Sequence, residues 1–129
     1  LNADMIITAS NANFERKYSF LCINKAGIKK TKASEKPNKI ALLGDMFELG
    51  NESLTEHKNL IALAENQDNI SFHFIGKAFY ANKTKVTNCF FYETFESLSD
   101  YLLKHKIQNS TILIKGSRGM ALERTLEFL

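Results

Sequence analysis

Five apolar runs of strand length divide this chain: Asp4 to Thr8, Lys39 to Leu43, Ile70 to Ile75, Cys89 to Tyr92 and Thr111 to Ile114. Between them lie segments whose apolar residues recur three and four apart, the spacing of one helix face. Phe14 to Asn24 carries Tyr18, Leu21 and Cys22; Leu54 to Glu65 carries Leu54, His57, Leu60, Ile61 and Ala64; Phe95 to Lys104 carries Leu98, Tyr101 and Leu102. A last segment, Met120 to Leu129, carries Leu122, Leu126 and Leu129. Ser53 to Glu56 has the S-x-x-E form of a capping box, a helix start signal. Strand and helix in alternation predict a three-layer α/β domain, a mostly parallel sheet with helices on both faces. Right-handed crossovers bring the carboxyl ends of parallel strands to one edge, where ligands of such sheets gather.

The length of 129 residues suits a single domain, residues 1–129, with a real core. A formal charge of +3 is mild. Lys29, Lys30 and Lys32 have no interleaved aromatics and read as solvated loop charge, so nucleic acid is not an expected partner. Gly27 to Asn38 holds the sole proline and reads as the longest loop. No apolar stretch approaches the ~18 residues of a membrane span. The start, LNADMIITAS, lacks the basic region of a signal peptide. It also lacks an initiator Met and runs at once into a strand, so a domain cut from a longer protein is expected. Cys22 and Cys89 have no metal-ligand spacing and are too few for a disulfide framework. Both are expected to be reduced thiols of a cytoplasmic protein.

The chemistry concentrates at strand ends. Thr111 to Gly119 reads TILIKGSRG, a strand running into Lys115, Ser117 and Arg118, three donors suited to an anion. The helix predicted from Met120 would aim its free N–H groups at the same place. The strand Lys39 to Leu43 ends in GDMFELG, with acidic Asp45 at its tip followed by apolar Met46 and Phe47. Parallel strands would bring the two junctions to a common cleft, where Asp45 suits an ammonium and Arg118 a carboxylate. Structural ion pairing of Arg118 with Asp45, Glu48 or Glu123 is the open alternative. Asn11 and Asn13, in TASNAN, could line the same edge or cap the helix after it. Lys77, after Gly76, could add a cation. His57 falls on the apolar side of its helix, and His73 and His105 lack a partner at catalytic spacing, so all three read as core or rim residues. The chain contains neither G-x-x-x-x-G-K-[ST] nor G-x-G-x-x-G, so no autonomous nucleotide site is signalled.

KIALLGDMFELG, followed by a helix carrying His57, together with ILIKGSRGMALER, resembles the C-terminal domain of the Mur ligases, most of all the members that add D-alanyl-D-alanine. The resemblance spans nearly the whole chain, strongly from Lys39 onward. It implies a Rossmann-like fold and a part in an ATP- and Mg2+-dependent enzyme of peptidoglycan precursor synthesis. That enzyme phosphorylates the carboxylate of a UDP-muramoyl tripeptide, and the amine of D-alanyl-D-alanine attacks the acyl phosphate. ATP and Mg2+ would be held mostly by a central domain in cis, and this domain, inactive alone, would close over the cleft as part of a monomer. The resemblance implies substrate contacts at Asp45, Met46, Lys115, Ser117 and Arg118, and nucleotide contacts at Asn11 and Asn13. The family's opening D-x-Y-N-A-N-P pattern is altered to TASNANF: Thr8 replaces the aspartate, Ser10 the tyrosine and Phe14 the proline. Two other readings stand beside this one, a different Mur ligase and a stand-alone module binding a small anion or a partner protein.

Overall fold

A computed structural model describes residues 5–9, 28, 29, 32, 38–47 and 50–129, with 5–9, 52 and 118 described by backbone alone. Five strands, β1 (Met5–Ala9), β2 (Asn38–Gly44), β3 (Ser71–Ile75), β4 (Cys89–Tyr92) and β5 (Ser110–Lys115), form one sheet in the order β1-β5-β2-β3-β4. Every pairing is parallel. The helices whose bounds are described are α1 (Ser53–Glu65), α2 (Lys77–Ala81) and α3 (Phe95–Lys104); a 3-10 turn at Gly50–Glu52 leads into α1, and others at Arg118–Met120 and Leu122–Phe128 follow β5.

The strands read as continuous apolar runs because both faces of the sheet are covered. Alternate residues point to opposite faces. Ala41, Leu43, Phe72, Phe74 and Leu113 pack with Leu60, Ile61 and Ala64 of α1 and Phe79 of α2. Leu42, Ile75, Ile112 and Ile114 pack with Leu98 and Leu102 of α3 and with Leu122 and Leu129. The three-layer architecture predicted from the alternation is the one observed.

Three expectations change. Residues 28, 29 and 32, read as loop, are helical, and Ile28 is buried in the first core. The segment from Met120 forms 3-10 turns interrupted at Ala121, whose φ of 50° and ψ of 45° are left-handed. Arg124 accounts for this locally: its backbone N–H donates to Ala121 O at 3.1 Å, while its guanidinium occupies Met120 O at 2.9 Å, the carbonyl an α-helix would have assigned to that N–H. Helix α2 has no counterpart among the predicted elements, because five residues are too few to show a period. The predicted helix Phe14 to Asn24, and with it Cys22, lies outside the described residues.

Candidate functional site

All five strands end at the same edge, and the β2 and β5 loops meet there. Gly44 and Gly116 permit the approach: a Cβ on Gly116 would sit 3.1 Å from the Gly44 Cα, and one on Gly44 would sit 2.9 Å from a Leu122 methyl. Past the glycines the loops are stitched together. Ser117 N–H donates to Asp45 O at 3.1 Å, and Ser117 Oγ accepts from Phe47 N–H at 2.9 Å and donates to Met46 Sδ at 3.2 Å. The side chain of Phe47 is held across Gly119, where any Cβ would come within 2.5 Å of the ring, yet the residue is 56% exposed.

Asp45 does other work than its residue type and position suggest. Its Oδ2 accepts from Ala78 N–H at 2.8 Å and its Oδ1 from Phe79 N–H at 3.1 Å, so it caps α2 from 33 residues away. Gly76, at the start of α2, cannot supply a cap. Its φ of 127° is closed to other residues in practice, and a Cβ there would overlap the Asp45 carboxyl group. With both oxygens on backbone donors and 5% exposure, Asp45 organises the edge, and it lines the floor of the cavity that opens there. Two further expected contacts are largely buried, although Met46 also borders the cavity. Met46 is 3% exposed and packs in the first core, and Lys115 is 2% exposed, level with Leu43 and Ala9 across the sheet. Ser117 stands at the rim as a clamp. Arg118 opens the 3-10 turn that follows, and its side chain lies outside the described residues, as do Asn11 and Asn13.

His57 completes the edge from beneath. It is fully buried, with its ring against Phe79 at a centroid distance of 4.6 Å. Nε2 accepts from Met46 N–H at 3.2 Å, Nδ1 lies 2.6 Å from Ser53 O, and Asp45 Oδ1 is 3.9 Å from Nε2. It is the core histidine that the helical spacing predicts.

Above these groups opens a cavity of about 540 Å3, lined among others by Phe47, Lys77, Glu93, Glu96, Met120 and Arg124. Arg124 is anchored: its guanidinium lies 3.9 Å over the Phe95 ring and donates to Ala121 O and Met120 O. Lys77, Glu93 and Glu96 are exposed and bring both signs of charge to an otherwise apolar wall. Glu93 and Glu96 had no sequence signal; only the return of β4 to the same edge places them here. A second cavity, of about 440 Å3, lies at the opposite edge beside His73, Tyr101 and Lys106, away from every residue singled out for chemistry. Among the described residues, no three His, Cys, Asp or Glu side chains converge as a metal site would require. None of the helices described is long and apolar enough to cross a membrane.

The parallel sheet with its coupled edge loops defines the class, a three-layer Rossmann-like α/β domain. Among solved structures this fold recurs in MurF. Two crystal structures of MurF from Acinetobacter baumannii match with TM-scores of 0.70 and 0.67 at 23% and 20% identity, each over 84% of this chain and 25% of that one. MurF ligase from Thermotoga maritima, solved in complex with ADP, matches with a TM-score of 0.59 at 24% identity over 81% of this chain and 25% of its own. The chain thus spans about a quarter of the length of the MurF structures it matches. Neither a protein-family model nor a curated protein matches the sequence.

Proposed function

We propose that this chain is the C-terminal domain of an ATP-dependent ligase that adds D-alanyl-D-alanine to a UDP-muramoyl tripeptide. The observation that carries the reading is the direct coupling of the GDMF and KGSRG loops, Ser117 to Asp45 and Phe47, as the wall of a cavity on a fold shared with MurF. A cleft closed between two domains needs one wall that is rigid and amphipathic, and an exposed Phe47 held by hydrogen bonds and glycine contacts suits that task. Arg118 pairs with the dipeptide carboxylate. The ammonium partner, given to Asp45 on sequence grounds, passes to Glu93 and Glu96, whose carboxylates border the same cavity. Lys115 and Met46 belong to the body of the wall and Ser117 fastens it.

Chemistry on the acyl group requires ATP and Mg2+. On this reading a central domain in cis supplies both groups, and no step of phosphoryl transfer is assigned to this chain. Asn11 and Asn13 remain the positions at which it would touch nucleotide. A cytoplasmic, monomeric enzyme is the setting this implies.

The test is steady-state kinetics of ATP-dependent dipeptide addition by the protein that carries this domain beside a P-loop domain. Arg118→Ala is expected to raise the KM for D-alanyl-D-alanine by about 10- to 100-fold, the value of one charge-assisted contact. Unchanged KM and turnover would remove Arg118 from the site. Calorimetric binding of the dipeptide to the 129-residue chain alone, with no ligation by its parent, would favour the stand-alone module.

A further inference from the structure

Two hydrogen bonds fix the protonation of His57. A backbone amide can only donate, so Nε2, 3.2 Å from Met46 N, is an acceptor; a carbonyl can only accept, so Nδ1, 2.6 Å from Ser53 O, carries the hydrogen. The ring is a neutral imidazole in its Nδ1–H form, and in that form it ties the start of α1 to the residue before Phe47. We propose that His57 is a proton-sensitive positioning residue, a latch that holds the GDMF loop against the cavity when neutral and releases it when charged.

The release follows from the same atoms. A proton added at Nε2 turns that nitrogen into a donor, which cannot face Met46 N–H. Among the described residues, Asp45 Oδ1 stands as an acceptor 3.9 Å away, just beyond hydrogen-bonding reach. Closing that gap draws Oδ1 from Phe79 N–H, so the cap of α2 loosens as the Met46 tether breaks. From α2 the ring meets Phe79, with Lys77 at the solvent end of that helix; from its own helix it meets Ser53, with Glu56 and Lys58 beside it in sequence. Asp45 thus couples the ring's charge to two loops, and Phe47 and Ser117 move with them.

Nitrogen-15 NMR of the chain tests the latch directly. Long-range spectra are expected to show the Nδ1–H tautomer at neutral pH, and the amides of Met46 and Phe79 to shift on acidification with the midpoint of the His57 ring. H57Q, whose carbonyl can accept from Met46 N–H without taking a proton, is expected to keep the neutral-pH positions of Phe47 and Ser117 and to abolish the pH response. The Nε2–H tautomer, a Met46 amide indifferent to the His57 titration, or a surviving response in H57Q would each overturn the proposal. Should H57Q not fold, the wild-type tautomer and titration decide it alone. These readouts stand apart from the ligase reading. An acid-side loss of dipeptide addition, absent in H57Q, is the outcome expected if both hold, and a loop that titrates in a protein that adds no dipeptide at any pH would sink the ligase assignment while leaving the latch.

Discussion

The two edges of the sheet each hold a buried histidine beside a cavity, and they treat it in opposite ways. At the carboxyl edge His57 is hydrogen-bonded at both ring nitrogens to backbone, and its neighbours are a capping carboxylate, Asp45, and the Phe79 ring. At the amino edge His73 lies among aromatic rings, near-parallel to Phe90 at 4.9 Å and Tyr92 at 5.7 Å, with Nδ1 at 2.9 Å from the Tyr92 hydroxyl. Burial alone lowers its pKa from 6.5 to about 4. The first edge is specified by hydrogen bonds that position a loop, the second by packing that excludes water. That difference is the physical ground for seeking function at the first, although the cavities are similar in size.

The sharpest way to break the contrast is Gly76→Ala. The residue sits at φ 127° and ψ 166°, a region essentially reserved for glycine, and the new methyl would expel the Asp45 carboxylate from the cap of α2. Strain and a lost cap together are expected to cost about 3–5 kcal/mol, read as a fall in the urea midpoint without a change in slope. A loss below about 1 kcal/mol would mean the edge is held by packing after all.

His73 supplies the next effect. The unfolded chain takes a proton on this ring near pH 6.5, the folded chain only near 4. Between those values the unfolded state binds more protons, so stability present above about pH 6.5 is lost as the pH falls toward 4. The loss approaches about 3 kcal/mol at its limit. H73F is expected to flatten that acid limb and to cost about 1 kcal/mol at neutral pH through the unpaired Tyr92 hydroxyl. Urea titrations from pH 4 to 7 on both proteins measure it, and an equally steep acid limb in H73F would place the pH dependence elsewhere.

The amino edge and the layers were easier to read from sequence than the carboxyl edge. Each strand is within two residues of its predicted span, because burial on both faces writes a continuous apolar run. Helix α3 is found at its predicted residues, Phe95–Lys104, with Thr94 Oγ1 capping Ser97 N–H. The convergence of Gly44–Asp45 with Ser117 was legible too, since parallel strands share an edge. What Asp45 does there was not. Its partners are N–H groups 33 and 34 positions away on a helix too short to have a period, and a capping carboxylate has the same letter as an ammonium ligand. The burial of Lys115 was equally hidden, because a lysine at a strand end normally reaches solvent along its own stem.

The smallest effect contrasts the edges at one backbone angle. Among the described residues, two that are not glycine have a positive φ, both at 50°: Asn109 before β5 and Ala121 after it. Asparagine visits the left-handed region at little cost, whereas alanine is held there against about 1–2 kcal/mol. Replacement by glycine relieves that strain but returns backbone freedom to the unfolded chain, an offset of about 0.5–1 kcal/mol at either site. Ala121→Gly is therefore expected to stabilise by about 0.5–1 kcal/mol, and Asn109→Gly to be neutral or slightly destabilising. Thermal midpoints of the two variants give the comparison. Equal shifts would show that the Arg124 contacts to Ala121 O and Met120 O already cover the alanine's strain. Unequal shifts in the expected order would show that the carboxyl edge retains a strained residue that the opposite edge avoids by its choice of side chain.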